Sequence, residues 1–435
     1  MTKYSKDDIM RVVREEDVKF IRLQFTDLSG ATKNLAITES QLQKALSGNC
    51  AFDASVIRGF EGAGDSPMYL KPDLSSMAIF PWRPQQGKVM RLISDIVDAS
   101  SAPFAGDPRH ILKKVLSEAE DLGYRLNVGP ECEFFLFHTD EEGKPTTKTH
   151  DAGGYFDIAP LDMGENCRRD ICLTLEEMGF LVESSHHEAA KGQHEVDFRY
   201  DEALATADKI MTFKMVVKSM AQRHGLYATF MPKPAEGENG SGMHINISLT
   251  KDGKNVFADP ADPSGMSPIA YRFLGGVMMH LKSMSAITNP LVNSYKRLLP
   301  AGAPAYIGWS ERPHRSLAAA MYAAGENSRI ELRSPDSSAN PYLALALILK
   351  AGLWGIKNDC AAPECITGDP AKAPGVDRLP DNLKEALDLM TASSLVRETL
   401  GEETLRAYLA VKTKEWQEYQ SQVTSWEIDR YLSQY

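Results

Sequence analysis

Along the amino-terminal stretch the apolar positions change period. Ser5 with Asp8 three positions on reads as a helix start, and the helical pattern runs to about Asp17. Ile21, Leu23 and Phe25 then alternate with Arg22 and Gln24, which predicts a strand with one buried face. A Leu-Ser-Gly turn follows at 28–30, and residues 32–37 return as the second strand of a hairpin. Two breaker-rich stretches, Phe80 to Pro84 and residues 101–108, interrupt the pattern before the helix-like HILKKVLSEAEDLG. A domain boundary is expected near residue 104, giving units of 1–103 and 104–435. Beyond it, strand-like ECEFFLF, HEVDFRY, GMHINISL and RIELRS alternate with helix-like RRDICLTLEEMG and DKIMTFKMVVKSMAQRHG. That order predicts an α+β fold, a mostly antiparallel sheet flanked by helices. From DNLKEALDLM to the carboxyl end the chain reads as helical and rather polar.

Composition adds constraints without changing this picture. A chain of 435 residues is long for one domain, so two are expected, one of them large. A net charge of -11 with no dense Lys/Arg run argues against nucleic-acid binding. Charges occupy the start where a signal peptide needs an apolar core, and no apolar run is long enough to span a bilayer, so a cytoplasmic protein off the membrane is expected. The six cysteines form no C-x-x-C pair and read as reduced, mostly buried thiols.

The chemistry lies in the strands. Glu131 and Glu133 are two apart and share one face, opposite Cys132 and Phe134. Taken singly, such a pair also suits an exposed edge strand. Glu188 and Glu195 bracket a glycine-containing loop. His244, Asn246 and Ser248 share one face of GMHINISL, although a lone inward histidine is more often a hydrogen-bonded core residue. Arg329, Glu331 and Arg333 share a face of RIELRS, where the plain alternative is a salt-bridge ladder. Together, Glu131, Glu133, Glu188, Glu195, Glu331 and His244 on inward faces could not stand unpaired in a core. Two divalent cations would nearly balance them, and an oxygen-rich set with one imidazole suits Mg²⁺ or Mn²⁺ better than Zn²⁺. Paired hard cations in turn suit phosphoryl transfer.

The stretches GPECEFFLF, SSHHEAAKGQHEVDF, MPKPAEGENGSGMHINISL, NSYKRLLP and RIELRSPDSSANPYLALA, with FDASVIRGF and MYLKPDL ahead of them, stand in an order that resembles the type I glutamine synthetases, most of all their short firmicute-like branch. The resemblance implies a small β-grasp-like domain ahead of a catalytic domain. It also implies an ATP-dependent carboxylate-amine ligase with two Mg²⁺ or Mn²⁺ ions per active site. By the same resemblance Glu133, Glu188 and Glu195 hold the ion nearer the amino acid, and Glu131, His244 and Glu331 the ion at the nucleotide phosphates. Asn239, Gly240 and Arg297 grip the glutamate with Arg333 nearby; Tyr200, Ser248 and Arg329 contact the nucleotide, and Arg315 a phosphate. Asp53 would reach across a subunit boundary to bind and deprotonate ammonium, in a homo-oligomer of twelve subunits stacked as two hexameric rings.

The chain also departs from the family pattern. Where relatives read R-L-V-P-G-Y-E-A-P at the flap over the intermediate, this chain reads RLLPAGAP from Arg297 to Pro304, one residue shorter and without the glutamate. His314 replaces an asparagine, Ala320 stands where an arginine is expected, and Gly62 where a feedback-sensing arginine is expected. Residues 361–381 contain no tyrosine, so adenylylation control is not expected. Three readings follow: glutamine synthesis from glutamate and ammonia, a related γ-glutamyl amide ligase using another amine or acid, and a catalytically weak assembly or regulatory paralogue. His186 and His187 flank Glu188, but neighbouring strand residues face opposite ways, so at most one could join the ligands.

Overall fold

The computed structural model describes residues 4–60, 66–83, 86–299, 303–312 and 314–435. The first helix, Lys6–Glu15, starts with Ser5 and Asp8 capping each other's backbone N–H groups, and it lays Ile9 and Val13 into the core. Val18–Thr26 and Thr32–Thr38 form the hairpin, antiparallel from Phe20 opposite Thr38 to Thr26 opposite Thr32. They belong to a six-stranded sheet whose main path runs Thr32–Thr38, Val18–Thr26, Lys88–Val97, Met68–Pro72, Cys50–Phe52, with Ala78–Ile79 also paired to Lys88–Val97; Val18–Thr26 runs parallel to Lys88–Val97. The strand Val18–Thr26 is covered on both faces rather than one. Gln24 is also buried, because the second face of its strand is covered by the helix Ala203–Arg223, where its amide meets Met215 Sδ at 3.4 Å.

A 12-stranded sheet dominates the rest. Its main path runs Asp377–Arg378, Tyr306–Ser310, Leu317–Tyr322, Arg329–Leu332, Met243–Lys251, Arg125–Thr139, Gln193–Phe198 and Val182–His187. Every pairing on this path is antiparallel except that of Tyr306–Ser310 with Leu317–Tyr322. The α+β reading therefore holds. Helices Pro268–Thr288 and Pro341–Lys357 pack behind the sheet at very short range. Glycines make this possible: a Cβ on Gly276 would lie 2.7 Å from Gly355 Cα, and one on Gly355 only 2.1 Å from the Arg272 carbonyl oxygen. The carboxyl-terminal helices are less polar in effect than the sequence suggested. Leu383, Leu387, Leu395, Val396, Leu400 and Tyr408 are buried, while the last helix, Ser425–Tyr431, buries nothing within the chain. All six cysteines are free thiols, three buried and three partly so.

Arg109 joins the two sheets. Its guanidinium reaches Asp73 at 2.7 Å and Asp95 at 2.6 Å, both on the small sheet side, and Asp208 on Ala203–Arg223 at 2.9 and 3.0 Å. Tyr342 Oη donates to the same Asp208 at 2.7 Å. Burial opposes ionisation of Asp73 and Asp95, but the Arg109 charge outweighs it and holds both below the usual carboxylate range. Replacing Arg109 by Met leaves the buried Asp208 and the partly buried Asp73 and Asp95 without their cation and should cost about 3–5 kcal/mol in urea denaturation. Because both acids have depressed folded pKa values, their contribution is present above the ordinary carboxylate pKa and disappears as the pH falls below it. Unfolding midpoints should thus drop below pH about 4 in the native chain, and less steeply in Asp95→Asn.

Candidate functional site

The register of three strands assembles one acidic wall. Along Arg125–Thr139, Glu133 stands opposite Glu195 and Glu131 opposite Asp197 of Gln193–Phe198; on the other flank Glu131 faces His244 of Met243–Lys251. One strand further, Glu331 stands opposite Asn246. Glu188 follows directly on Val182–His187, across the hairpin loop from Glu195. The acids predicted from the sequence thus come together, and Asp197, two positions after Glu195, extends the row. Period-two spacing alone marks Asp197; it was hidden behind the apolar Val196 and Phe198.

The six side chains Glu131, Glu133, Glu188, Glu195, His244 and Glu331 fall into one neighbourhood. Glu131, His244 and Glu331 each offer a ligand atom within 4.8 Å of the others, and so do His186, Glu188 and Glu195. His186 faces Glu188 at 3.1 Å, whereas His187 points the opposite way, as neighbouring strand residues must. Glu133 sits between the groups, accepting from Gln193 Nε2 at 2.6 Å and from the Gly242 amide at 2.9 Å. Gly242 is itself a requirement: a Cβ there would lie 2.6 Å from Arg297 Nη2, 3.2 Å from His244 Nε2 and 3.3 Å from Glu133 Oε1. The cradle between these three groups exists only without a side chain.

Crowded carboxylates respond in opposite directions. Burial, then repulsion by Glu133 and other acids, pushes Glu195 up to about 11. Burial also raises Glu133, more than His244 and Arg297 lower it. For Glu131 burial is outweighed by the hydrogen bond and charge of His244, by Asn246 and by Arg333, which together hold it at about 2. Hard oxygen donors with one imidazole in each group, too many for their neighbouring cations, are a donor set that fits divalent ions of the Mg²⁺ or Mn²⁺ kind.

A cavity of about 1180 Å³ opens over this wall. Its lining brings Glu131, Glu133, Glu188, Glu195 and His244 together with Asn239, Gly240, Arg297, Arg315 and Arg333. Arg297 is buried and anchored, donating to the backbone carbonyl oxygens of Ser334 at 2.8 Å and Arg333 at 3.0 Å. Ala303 and Pro304 also line this cavity; Ala301, Gly302 and Gly62 lie outside the described residues. Ala320 is fully buried opposite Glu331, so a methyl group occupies the position of the expected arginine. A second cavity of about 590 Å³ shares Glu131 with the first and is lined by Tyr200, Asn246, Ser248, Asp197 and Arg329. Asp53 lies apart from both. It is exposed, accepts hydrogen bonds from the Ser55 amide and hydroxyl, and does not line either cavity of its own chain.

Behind the Glu188–Glu195 loop lies a buried group, Asp151, Asp162, His187 and His194. It is already paired: Arg168 reaches His194 Nδ1 at 3.0 Å and Asp162 at 2.8 Å, while His187 faces Asp151 Oδ1 at 2.9 Å and the Glu188 carbonyl oxygen at 2.6 Å. Both His187 partners are acceptors, so the ring donates from both nitrogens. Burial disfavours its charge, but these partners raise its pKa nonetheless. Asp151 Oδ1 also accepts from the Gly192 amide at 2.9 Å, which pins the far side of the loop.

Comparison with known proteins agrees with this geometry. Residues 105–431 match the family "Glutamine synthetase, catalytic domain" and residues 17–99 the "Glutamine synthetase, beta-Grasp domain". A curated glutamine synthetase of Clostridium saccharobutylicum is 55% identical over 443 residues, covering 100% of each chain. One of Staphylococcus aureus (strain MW2) is 49% identical over 441 residues, covering 99% of each. A solved structure described as "GmaS/ADP complex-Conformation 1" superposes with a TM-score of 0.89 at 32% identity, over 98% of this chain and 99% of that one.

The loop behind the acids supplies its own test. Asp151→Asn keeps the volume but removes the charge that pairs with a doubly donating, buried His187. Stability should fall by about 1–3 kcal/mol in urea denaturation, with faster amide exchange confined to residues 188–192.

Proposed function

The chain belongs to the glutamine synthetase family, and on that footing we propose that it uses ATP to activate the side-chain carboxylate of glutamate and passes the acyl group to ammonia, yielding glutamine. The observation that carries this reading is the single cavity lined both by the carboxylates and by Arg297, Arg315, Arg333, Asn239 and Gly240. ATP and divalent metal use come with the family. We assign Glu133, Glu188 and Glu195 to one ion and Glu131, His244 and Glu331 to the other, Mg²⁺ or Mn²⁺ in each case. Bound there, such ions would neutralise charge on the phosphates and on the acyl phosphate.

The chain's own residues supply the rest. Tyr200, Ser248 and Arg329 line the second cavity and hold the nucleotide, whose phosphates then point past the shared Glu131 into the first. Arg297, fixed by two backbone carbonyls, binds the amino acid with Asn239 and Gly240. Arg315 and Arg333 face the carboxylate as it attacks the γ-phosphate and absorb the spreading negative charge. The acceptor amine must then lose a proton before its nitrogen can attack the acyl carbon and expel phosphate. Since Asp53 lies outside its own chain's cavity, we assign that proton to Asp53 of the partner subunit, in a cytoplasmic assembly of two hexameric rings. Among the described residues no helix is long and apolar enough to cross a membrane.

A second reading is favoured by one feature of the cavity. Ala303 lines it where relatives carry a flap glutamate, so the amine subsite lacks an anion that would attract ammonium. A larger or less charged amine fits that subsite better, giving another γ-glutamyl amide.

ADP release by the purified protein with Mg²⁺ or Mn²⁺, ATP, glutamate and a panel of amines separates the readings. Ammonia-dependent turnover is expected; turnover only with alkyl amines or polyamines selects the second reading, and none with any amine points to an assembly or regulatory role. Arg315→Ala should lower kcat on the order of 10²–10³-fold. Ala303→Glu should lower the KM for ammonium by roughly 5- to 10-fold, the effect of one charge placed about 4 Å from a cation in a nearly water-like dielectric; an unchanged KM would remove this residue from the amine subsite.

A further inference from the structure

Between the two cavities a set of side chains closes on itself. Arg329 Nε donates to Asn246 Oδ1 at 2.9 Å, and Asn246 Nδ2 donates to Glu131 Oε1 at 2.9 Å. His244 Nδ1 lies 3.0 Å from Glu131 Oε2 and 3.3 Å from Glu331 Oε1. Tyr322 Oη donates to the other Glu331 oxygen, Oε2, at 2.6 Å. The Tyr322 ring returns the circuit to its start, since the Arg329 guanidinium lies over it at 4.3 Å from the ring centre. Register explains the meeting. On Leu317–Tyr322, Ala320 stands opposite Glu331 and Tyr322 opposite Arg329, so one strand face presents a methyl group and then a phenol to the acid and the arginine.

We propose that Tyr322 is a positioning residue that sets the carboxylate of Glu331 and the guanidinium of Arg329 together, so that the divalent-ion site and the nucleotide cavity are built by one side chain. Its hydroxyl has one proton to give and gives it to Oε2. Glu331 therefore keeps a single oxygen, Oε1, turned toward His244 Nδ1 at 3.3 Å and free to serve the group it forms with Glu131 and His244. Its ring face holds the arginine by cation–π contact at a partly buried site, a hold that does not depend on the hydroxyl. The two halves of the residue do separable work, which a merely space-filling tyrosine would not. Arg333 also reaches Glu331 Oε1 at 3.1 Å, so without the phenol the carboxylate is free to turn both oxygens toward the arginine and away from the histidine. This inference rests on the assignment of Glu331 to an ion and Arg329 to the nucleotide.

Titration calorimetry of Mn²⁺ into the metal-stripped full-length protein, followed by ADP, tests both layers. The unmodified protein should bind two ions per chain, and Glu331→Gln should lose one. Tyr322→Phe should keep both but bind one of them about 10-fold more weakly, the usual effect of removing a partner of a ligating carboxylate. Because the ring is retained, its ADP affinity in saturating Mn²⁺ should change by less than about twofold. Tyr322→Leu should show the same weakening of the ion and a further loss of ADP affinity of about 3- to 10-fold. Thermal melts of the metal-free variants, matched to the unmodified protein, establish that they fold. If both tyrosine variants bind Mn²⁺ and ADP as the unmodified protein does while Glu331→Gln loses an ion, Tyr322 only fills space and the inference is overturned. An unmodified protein that binds no Mn²⁺ overturns instead the ligand assignment beneath it.

Discussion

Pairing of like charges across neighbouring strands is the constraint around which this molecule is arranged. Directly opposite residues in an antiparallel pair bring their Cβ atoms to about 4.5–5.5 Å, and carboxylates so placed repel. Here Glu133 faces Glu195 and Glu131 faces Asp197, with Glu188 at the loop and Glu331 one strand beyond His244. A one-residue slip in either register would send these acids to the apolar face and Cys132, Phe134, Val196 and Met243 into the cavity. The apolar face is therefore what fixes the acids: the buried Phe134, Val196, Ile245 and Ile247 hold the register that electrostatics alone would reject.

Partial compensation comes from a ring of polar partners, each holding one acid at a defined atom. Gln193 and the Gly242 amide take Glu133, Asn246 and His244 take Glu131, Tyr322 and Arg333 take Glu331. Among the described residues Glu195 has no such partner, and burial with repulsion from Glu133 raises its proton affinity. The acids thus differ in state although they share a wall, which is what a site prepared for added positive charge looks like. The same logic operates at a distance from the chemistry, where Arg109 gathers Asp73, Asp95 and Asp208 and ties the small sheet to the large one.

The departures from the family pattern acquire a physical setting in the structure. Ala320 is not an empty place: it is enclosed, paired with Glu331, and followed on the same strand face by Tyr322. Where a cation is expected, a neutral phenol two residues later donates to the acid and receives an arginine on its ring. Ala303 lines the first cavity at the place where relatives carry a flap glutamate. Both departures remove a charge of the family pattern while leaving the carboxylate wall intact.

How much of this was legible beforehand depends on the range of the interaction. Period-two alternation determined which face Glu131, Glu133, His244 and Glu331 occupy, since side-chain direction in a strand is a local property, and the capping pair Ser5 and Asp8 marked the first helix for the same reason. Asp197 was equally readable from its distance to Glu195. The partnerships were not. Tyr322 with Arg329, Gln193 with Glu133, Gly242 beneath Arg297 and Arg109 with three aspartates depend on strand order and on which helix covers which sheet. Those are set by burial of the whole apolar surface rather than by any local run. The direction of each acid follows from local strand geometry and so from the residues alone; its neighbour does not, because contacts between residues far apart in the chain exist only once the sheet has closed.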